Sequence, residues 1–229
     1  MLNRFPDKEV EWKITLYPED GTIPDLQAMV MECVDALCKK TVSISEMMVI
    51  INNPVHRFGW ERKFRVQWEE SITFELWDKL VTYPVWCAIF KSSWIGNIWE
   101  NEVKIYLASD LPPQELGMWF ITAEWTPDYI GYYLKTKMGH DMTTKSGRVF
   151  HICVDKCIIP WISTSPLYQI EIEYKYSPDD KEGETLEEIQ AEIDEIIHEL
   201  SSKINIPHEI GWPKKGKWLS ESVRSEIPI

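Results

Sequence analysis

The stretch Leu167-Tyr-Gln-Ile-Glu-Ile-Glu-Tyr-Lys-Tyr176 alternates apolar and charged side chains through most of its length. A period of two is typical of a β-strand, because successive side chains of a strand point to opposite faces. One face carries isoleucine and tyrosine, and the other carries Glu171, Glu173 and Lys175. We therefore predict a strand with one apolar and one charged face.

Further segments of the chain show related patterns. Strands are predicted at 10–17, 45–51, 64–68, 103–107, 128–136 and 148–154. The segment 71–81 fits a helix or a strand, and a short proline-led helix is predicted after Leu111. Most of the predicted elements between the chain ends are thus short strands.

Two longer segments have the spacing of amphipathic helices. Thr22 is a suitable N-cap for a helix that runs to about Lys40, and a second helix is predicted from Thr185 to Lys203. Regular strand–helix alternation is absent, so we predict an α+β fold. Its mixed, mainly antiparallel sheet would have N-terminal and C-terminal amphipathic helices packed on it. Residues 1–206 would form a single domain, with residues 207–229 as a C-terminal extension.

The charge of the chain is strongly negative and unevenly distributed. The formal net charge is −13, and residues 171–200 hold twelve acidic residues against two lysines. Such a balance disfavours non-specific binding to nucleic acid, which needs lysine and arginine to neutralise phosphates. It favours attraction to basic molecules. We expect a basic protein partner and no direct contact with nucleic acid.

Cysteine usage and hydropathy suggest a compartment. The five cysteines are an odd number, which disfavours a disulfide framework. No run of eighteen apolar residues is present, so no membrane-spanning helix is expected. The first residues also lack the apolar region of a secretory signal. We predict a cytoplasmic protein with reduced thiols and no membrane contact.

The segment His151-Ile-Cys-Val-Asp-Lys-Cys157 offers the best set of metal-ligand groups. Thiolates and imidazoles are ligands of zinc. In a strand, however, His151 and Cys157 would lie ~20 Å apart at ~3.3 Å per residue, which is too far for one ion without a turn. We predict buried structural cysteines and no cofactor. An enzyme or zinc-binding protein centred on His151, Cys153 and Cys157 is kept as an alternative.

Two sets of side chains are candidates for a partner-binding surface. An acidic helix would accelerate association with a basic partner, and tryptophans in loops suit recognition. The acidic set consists of Glu187, Glu188, Glu192, Glu195 and Glu199. The aromatic set consists of Trp60, Trp94 and Trp99, which have turn-forming neighbours. A solvated helix face and tryptophans buried under loops are the simpler alternatives.

Several short segments follow one another in a characteristic order: the strand and helix at 10–40, Asn101-Glu-Val-Lys-Ile-Tyr-Leu107, the proline-led helix, and Trp125-Thr-Pro-Asp128 before a further strand. In this order they resemble the immunity protein 52 family of bacterial polymorphic-toxin systems. The resemblance implies an α+β protein that binds and blocks a cognate toxin, commonly a nuclease. It also implies that no residue is catalytic.

No glycine-rich phosphate loop and no HExxH pattern mark an active site in this sequence. We therefore predict a non-enzymatic inhibitor that binds and neutralises a cognate basic protein, such as a bacterial toxin. The first alternative is a virus-encoded protein that sequesters a host defence factor. The second is the enzyme or zinc protein described above.

Overall fold

The computed structural model describes residues 5, 8–18, 41–52, 55–57, 60–75, 79–94, 99–107, 129–178, 183–211 and 214–226. Within these ranges the chain is built mainly of β-strands. The strands are β1 (Lys8–Leu16), β2 (Thr41–Asn52), β3 (Val55–Arg57), β4 (Trp60–Glu75), β5 (Lys79–Trp94), β6 (Trp99–Leu107), β7 (Tyr129–Thr143), β8 (Val149–Ile158), β9 (Leu167–Tyr176) and β10 (His208–Ile210). The helices are α1 (Leu186–Lys203) and α2 (Lys215–Glu226).

Eight of these strands form a sheet that closes on itself. Their hydrogen-bonded order is β1-β6-β5-β4-β2-β7-β8-β9, and β9 pairs with β1 to complete the ring. The pairings around this ring are antiparallel. The short strands β3 and β10 extend the sheet by pairing with β4 and β1. Closure leaves the eight strands few free edges, and it separates an enclosed face from an outer one.

The outer face of β1, β8 and β9 packs against α1. Ile152 of β8 and Ile170 of β9 are buried in one apolar cluster with Ile189 and Ile193 of α1. Burial of each such side chain contributes about 1.5–3 kcal/mol. The alternation that predicted the strand at 167–176 thus corresponds to a real apolar face, and this strand is confirmed as β9.

Helix α1 begins where its sequence predicts. The Thr185 hydroxyl accepts a hydrogen bond from the Glu188 amide at 3.3 Å, and the Glu188 carboxylate accepts one from the Thr185 amide at 3.2 Å. This reciprocal capping box satisfies two backbone donors that have no partner inside the helix. The helix predicted from Thr185 to Lys203 is therefore confirmed.

The predicted α+β fold class is wrong. The described part of the chain is mostly a closed, barrel-like antiparallel sheet with two helices near its C-terminal end. Residues 71–75 and 79–81, which fit a helix or a strand by pattern, are strand in β4 and β5. The helices predicted at 22–40 and after Leu111 lie outside the described residues.

The C-terminal extension joins the sheet. Strand β10 pairs with β1 through Ile14 and Ile210, and α2 follows directly in the described chain. Leu219 of α2 is fully buried against Tyr133 of β7 and Leu167 of β9. Neither α1 nor α2 is both long and apolar enough for a bilayer crossing.

Candidate functional site

Alternate residues of β1, β8 and β9 face away from α1, and many of them are charged. The register places Lys13 opposite Glu171, and Glu171 opposite Cys153. Side chains of β7 and β9 also touch each other although β8 lies between them, as in the 3.8 Å contact from Lys137 to Glu171. Such convergence is expected on the concave side of a curved sheet, where side chains approach one another. We call the space enclosed on this side the chamber.

Glu171 is the centre of a group of buried ion pairs. Its Oε1 lies 3.1 Å from Lys13 Nζ and also contacts Lys215 Nζ, and its Oε2 lies 3.8 Å from Lys137 Nζ. Three separate elements, β1, β7 and α2, supply these lysines. We call the whole group the lysine cluster, and it comprises Lys13, Lys135, Lys137 and Lys215 around Asp155 and Glu171.

Asp155 holds the other half of the lysine cluster. Its side chain is fully buried, and its Oδ2 lies 2.5 Å from Lys215 Nζ and 3.4 Å from Lys135 Nζ. The side chains of Lys135 and Lys215 are only 9% and 8% exposed. Lys215 contacts both central carboxylates and thereby joins the two halves into one network.

Mutual pairing keeps Glu171 and Lys215 ionised despite their burial. Burial alone raises the pKa of Glu171, but Lys13 and Lys215 outweigh it, so the pKa lies well below its usual range. Burial alone lowers the pKa of Lys215, whereas Asp155 and Glu171 raise it to well above its ordinary value. Buried charges are costly unless they are paired, so this network needs all of its members.

The lysine cluster has more positive than negative groups. Four ammonium groups face two central carboxylates, and only one more carboxylate, Glu11, contacts a lysine of this cluster among the described side chains. The formal charge is therefore positive, in contrast to the −13 of the whole chain. A buried region with excess positive charge favours an anion at its centre.

A second charged group lies on β1, β5 and β6. The ammonium group of Lys91 contacts Glu9 and lies 3.1 Å from Glu102 Oε2. These side chains are only 8–11% exposed. Because both carboxylates contact one ammonium group, they lie side by side around a cation. Among the side chains that the structure describes, this group has two carboxylates and one lysine, whereas lysines outnumber carboxylates in the lysine cluster.

Helix α2 closes the chamber at the end where β1 finishes and β9 begins. At this end Leu219 packs with Tyr133, Cys157 and Leu167, and the buried hydrogen-bonded pair Thr15 and Gln169 lies between this layer and Glu171. Leu16 and Leu167 at these strand ends also line a cavity of about 400 Å³ together with Trp218. In the described part of the structure, this end is therefore filled by α2 and an apolar layer.

The predicted zinc ligands do not form one site. Cys153 does lie in the chamber, with its Sγ 3.8 Å from both Asp155 Oδ1 and Glu171 Oε2. His151 Nδ1 instead contacts Asp141 at 2.8 Å, and Cys157 is buried in the apolar layer.

Cys153, Asp155 and Glu171 place three potential metal-ligand atoms within 4.8 Å of one another. Burial raises the pKa of the Cys153 thiol, which keeps it protonated. Both carboxylates are already paired with lysines, which also repel a cation. The chemistry of this group therefore suits an anion better than zinc.

The acidic residues predicted to bind a partner lie along α1. Glu192 is half-buried and accepts hydrogen bonds from Arg148 Nη1 at 2.5 Å and from Ser146 Oγ at 2.8 Å. It therefore stabilises the contact between α1 and the β7–β8 turn. The remaining four are exposed, namely Glu187, Glu188, Glu195 and Glu199.

The three tryptophans that are predicted to bind a partner lie at the ends of strands. The backbone of Trp60 begins β4 and pairs with that of Trp94, the last residue of β5. Trp99 begins β6 and pairs with Val10 of β1. The three positions therefore belong to the closed sheet, where the sequence had suggested turns. Their role in partner binding stays a prediction.

Two short segments carried a signal that the sequence reasoning missed. Glu9-Val-Glu-Trp-Lys13 and Glu171-Ile-Glu-Tyr-Lys175 share the spacing of two glutamates and one lysine at alternate positions. They lie on neighbouring antiparallel strands, where Lys13 pairs with Glu171 and Glu11 with Glu173. Two such strands in register build a continuous charged face. The contribution of Lys215, from the tail of the chain, had no such signal.

Comparison with known proteins gives a structural similarity only. No protein-family model and no curated protein matches the sequence. The PH1819 protein from Pyrococcus horikoshii OT3 has a similar structure, with a TM-score of 0.51 and 13% identity over 95% of this chain and 99% of that one.

Two further structures are similar at lower scores. An adenylyl cyclase candidate from Hippeastrum, described as having a dominant triphosphatase activity, has a TM-score of 0.46 and 11% identity over 93% of this chain and 95% of that one. The Mimivirus capping enzyme triphosphatase has a TM-score of 0.45 and 11% identity over 86% of this chain and 90% of that one.

The prediction of a non-enzymatic toxin inhibitor is wrong. It depended on the absence of a chemical site, whereas the sheet encloses a buried group of lysines and carboxylates. The similar solved structures include proteins described as triphosphatases, and they say nothing about immunity proteins. At the level of the fold, this chain, with its closed antiparallel sheet, is similar in structure to the PH1819 protein.

Proposed function

We propose that the chamber binds the polyphosphate group of a small anion and that the protein is an enzyme which hydrolyses a phosphoanhydride bond. The observation that carries the proposal is the lysine cluster. It concentrates four ammonium groups on one face of a closed sheet, two of them on buried lysines and two on partly exposed ones, with fewer carboxylates than are needed to neutralise them. Activity of this kind is described for the Hippeastrum and Mimivirus proteins.

A linear polyphosphate fits the chamber by charge and by shape. Its negative charges are spaced along a narrow chain, and the lysines project from strands and a helix on different sides of Glu171. Lysine binds phosphate as a compact point charge, and enclosure in a protein interior strengthens each such interaction. The acidic exterior would discourage longer nucleic acids from non-specific binding.

A divalent cation at the second charged group would take the place of the ammonium group of Lys91, where two carboxylates face this one lysine. Glu9 and Glu102 offer carboxylate oxygens, which are the ligands preferred by Mg²⁺ and Mn²⁺. In this structure the ammonium group of Lys91 lies between them, and it would have to move away before a metal ion could bind. When bound, a divalent cation supplies neutralisation of phosphate oxygens during phosphoryl transfer.

The reaction then needs little covalent chemistry from the protein. Water attacks the terminal phosphorus atom, the bridging P–O bond breaks, and the departing oxygen keeps the electron pair. The proton that the water loses is taken up by the departing phosphate or by solvent. The lysine cluster holds the phosphoryl oxygens in place and stabilises the charge that shifts to the leaving group. Tripolyphosphate would yield orthophosphate and diphosphate.

Hydrolysis of inorganic tripolyphosphate by the purified protein tests the proposal. We expect orthophosphate release with Mg²⁺ or Mn²⁺ and its loss after chelation. Lys135→Gln should lower kcat/KM by roughly 10-fold or more, because a charged buried contact to the substrate is removed. Lys156→Gln is a matched control, since it removes the same charge from an exposed position of β8.

The two variants distinguish anion binding in the chamber from a general effect of the charge of the protein. If the wild-type protein neither binds nor hydrolyses tripolyphosphate, the proposed function is refuted. Equal activities of Lys135→Gln and Lys156→Gln would show that the lysine cluster is not where the anion binds.

A further inference from the structure

A histidine and an aspartate form a hydrogen-bonded pair on the chamber side of β7 and β8. His151 Nδ1 lies 2.8 Å from Asp141 Oδ1, and the two residues are direct partners in the antiparallel register. Their side chains are 15% and 51% exposed, so the imidazole is mostly enclosed while the carboxylate reaches water. Neither residue belongs to the lysine cluster or to the second charged group.

The second ring nitrogen of His151 is directed toward the lysine cluster. His151 lies two residues from Cys153 on β8 and therefore shares its face of the strand. A Cβ on Gly139 would lie 2.7 Å from His151 Nε2 and 2.6 Å from Cys153 Cβ, so the imidazole lies directly over this glycine. On β7, Gly139 lies between Asp141 and Lys137 of the lysine cluster. Nδ1 thus faces Asp141, and Nε2 faces the side of the lysines.

The hydrogen bond determines which nitrogen carries a proton. The bond from His151 holds the pKa of Asp141 below its ordinary value, so the carboxylate is ionised near neutral pH and accepts the bond. In the neutral imidazole, Nδ1 is then the donor and Nε2 keeps a lone pair. Among the described residues, Asp141 is the only hydrogen-bond partner of His151. Nε2 is therefore available to take a proton.

We propose that His151 is a catalytic residue, the general base that activates the attacking water, and that Asp141 is its positioning residue. This inference rests on the proposed function and adds the group that first takes the proton. An O–H bond of the water breaks, its proton passes to Nε2, and the water oxygen bonds to phosphorus. The bridging P–O bond breaks, and the departing oxygen keeps the electron pair. The imidazolium then releases the proton to solvent, and Asp141 stays ionised.

The surroundings of the imidazole suit this cycle. A phosphoryl group held by Lys137 would lie on the side that Nε2 faces. The carboxylate of Asp141 stabilises the imidazolium that forms, as the aspartate of a catalytic triad does. The other charged groups near the ring are Lys137 of β7, Glu173 and Lys175 of β9, and Glu11 of β1, which is the register partner of Glu173. Glu173 and Lys175 pair with each other at 2.8 Å.

The first experiment compares the pH dependence of kcat for the wild-type protein and His151→Gln, with saturating tripolyphosphate and Mg²⁺. At about pH 8 we expect kcat of the variant to be roughly 100-fold or more lower, because general base catalysis typically contributes about 10²–10⁴-fold. Acidification to about pH 5 protonates the imidazole, so the ratio of the two rates should shrink across this range. His198→Gln, which changes an exposed histidine of α1, should keep the wild-type rate and profile.

Two further measurements distinguish a base from a contact that only holds the fold. Calorimetry should give a dissociation constant for tripolyphosphate within about 3-fold of the wild-type value for His151→Gln, because a base acts on the rate and not on substrate binding. Free imidazole should raise kcat of His151→Ala, since a small base can enter the space that the side chain leaves. It should not change kcat of His198→Ala.

The half-exposed Asp141 provides a variant that keeps the fold. Asp141→Asn should lower kcat roughly 10-fold or more with little change in substrate binding, because an amide does not stabilise the imidazolium. Circular dichroism and thermal unfolding show whether each variant is folded. If the His151 variants do not fold, an Asp141→Asn protein with wild-type kcat and pH profile would overturn the inference.

The outcomes for the two proposals are distinct. A wild-type protein that neither binds nor hydrolyses tripolyphosphate refutes the proposed function itself. If the wild-type protein is active and folded His151→Gln keeps kcat within about 3-fold at about pH 8, only the role of His151 is refuted. A lower kcat with a constant ratio across the pH range and no rescue by imidazole would also overturn that role.

Discussion

Replacement of Glu171 by glutamine tests whether the lysine cluster is held together by its central carboxylate. The carboxylate contacts Lys13, Lys137 and Lys215, and its side chain is 8% exposed. The change keeps the shape of the side chain and removes one negative charge. Removal of one partner from a buried ion pair costs about 3–5 kcal/mol, because the other charges remain buried. For a chain of this size, that corresponds to a fall in Tm of about 6–20 °C.

Thermal and urea unfolding of Glu171→Gln, with Glu195→Gln as control, measure this loss. Glu195 is exposed on α1, so its change should stay within about 0.5 kcal/mol. Added tripolyphosphate should restore part of the stability of Glu171→Gln, because a bound anion supplies negative charge to the same lysines. A loss below about 1 kcal/mol for Glu171→Gln would refute the reasoning, since leaving buried ammonium groups unpaired should cost more free energy than that.

Two further changes probe the chamber wall and its buried titratable groups. Gly139→Ala should lower the free energy of unfolding by about 1–3 kcal/mol. The reason is that a Cβ there would lie 2.6 Å from Cys153 Cβ and 2.9 Å from the Ile152 carbonyl oxygen. Urea unfolding of this variant without a loss of stability would contradict this packing. Burial raises the pKa of Cys157 from 9.0 to about 12, so the unfolded chain loses this proton first and stability should fall as the pH rises from about 9 to 12. Urea midpoints across this range measure the effect, and Cys157→Ala should reduce the slope.

The strand β9 and the helix α1 that packs on the outside of the sheet could be predicted from the sequence, whereas the closed chamber could not. Alternation in 167–176 and the amphipathic spacing of 185–203 correctly predict β9 and α1, because local pattern and burial agree there. Alternation alone does not say whether the polar face of a strand meets water or a closed chamber. That difference depends on the pairing of β9 with β1, which closes the ring and is a contact between distant parts of the chain.

The site was harder to predict because its members are separated in sequence. Lys13, Asp155, Glu171 and Lys215 come from β1, β8, β9 and α2, and no local motif connects them. The Cys153 region was singled out for the wrong reason, since its thiol lies among carboxylates and lysines that together disfavour a metal ion. The net charge of −13 is also a poor guide to the site, because it averages an acidic exterior with the positively charged lysine cluster inside the sheet.

This separation of charge explains how an acidic protein can hold an anion. Much of the acidic excess in residues 171–200 belongs to α1, where Glu187, Glu195 and Glu199 are exposed and screened by water and salt. The lysine cluster lies on the other side of the sheet and is buried, so its charges act on a bound ligand with much less screening. A small polyphosphate that enters the chamber therefore meets the lysines at close range, whereas a long polyanion on the outside meets mainly carboxylates. The same sheet thus selects for anions that are short enough to enter.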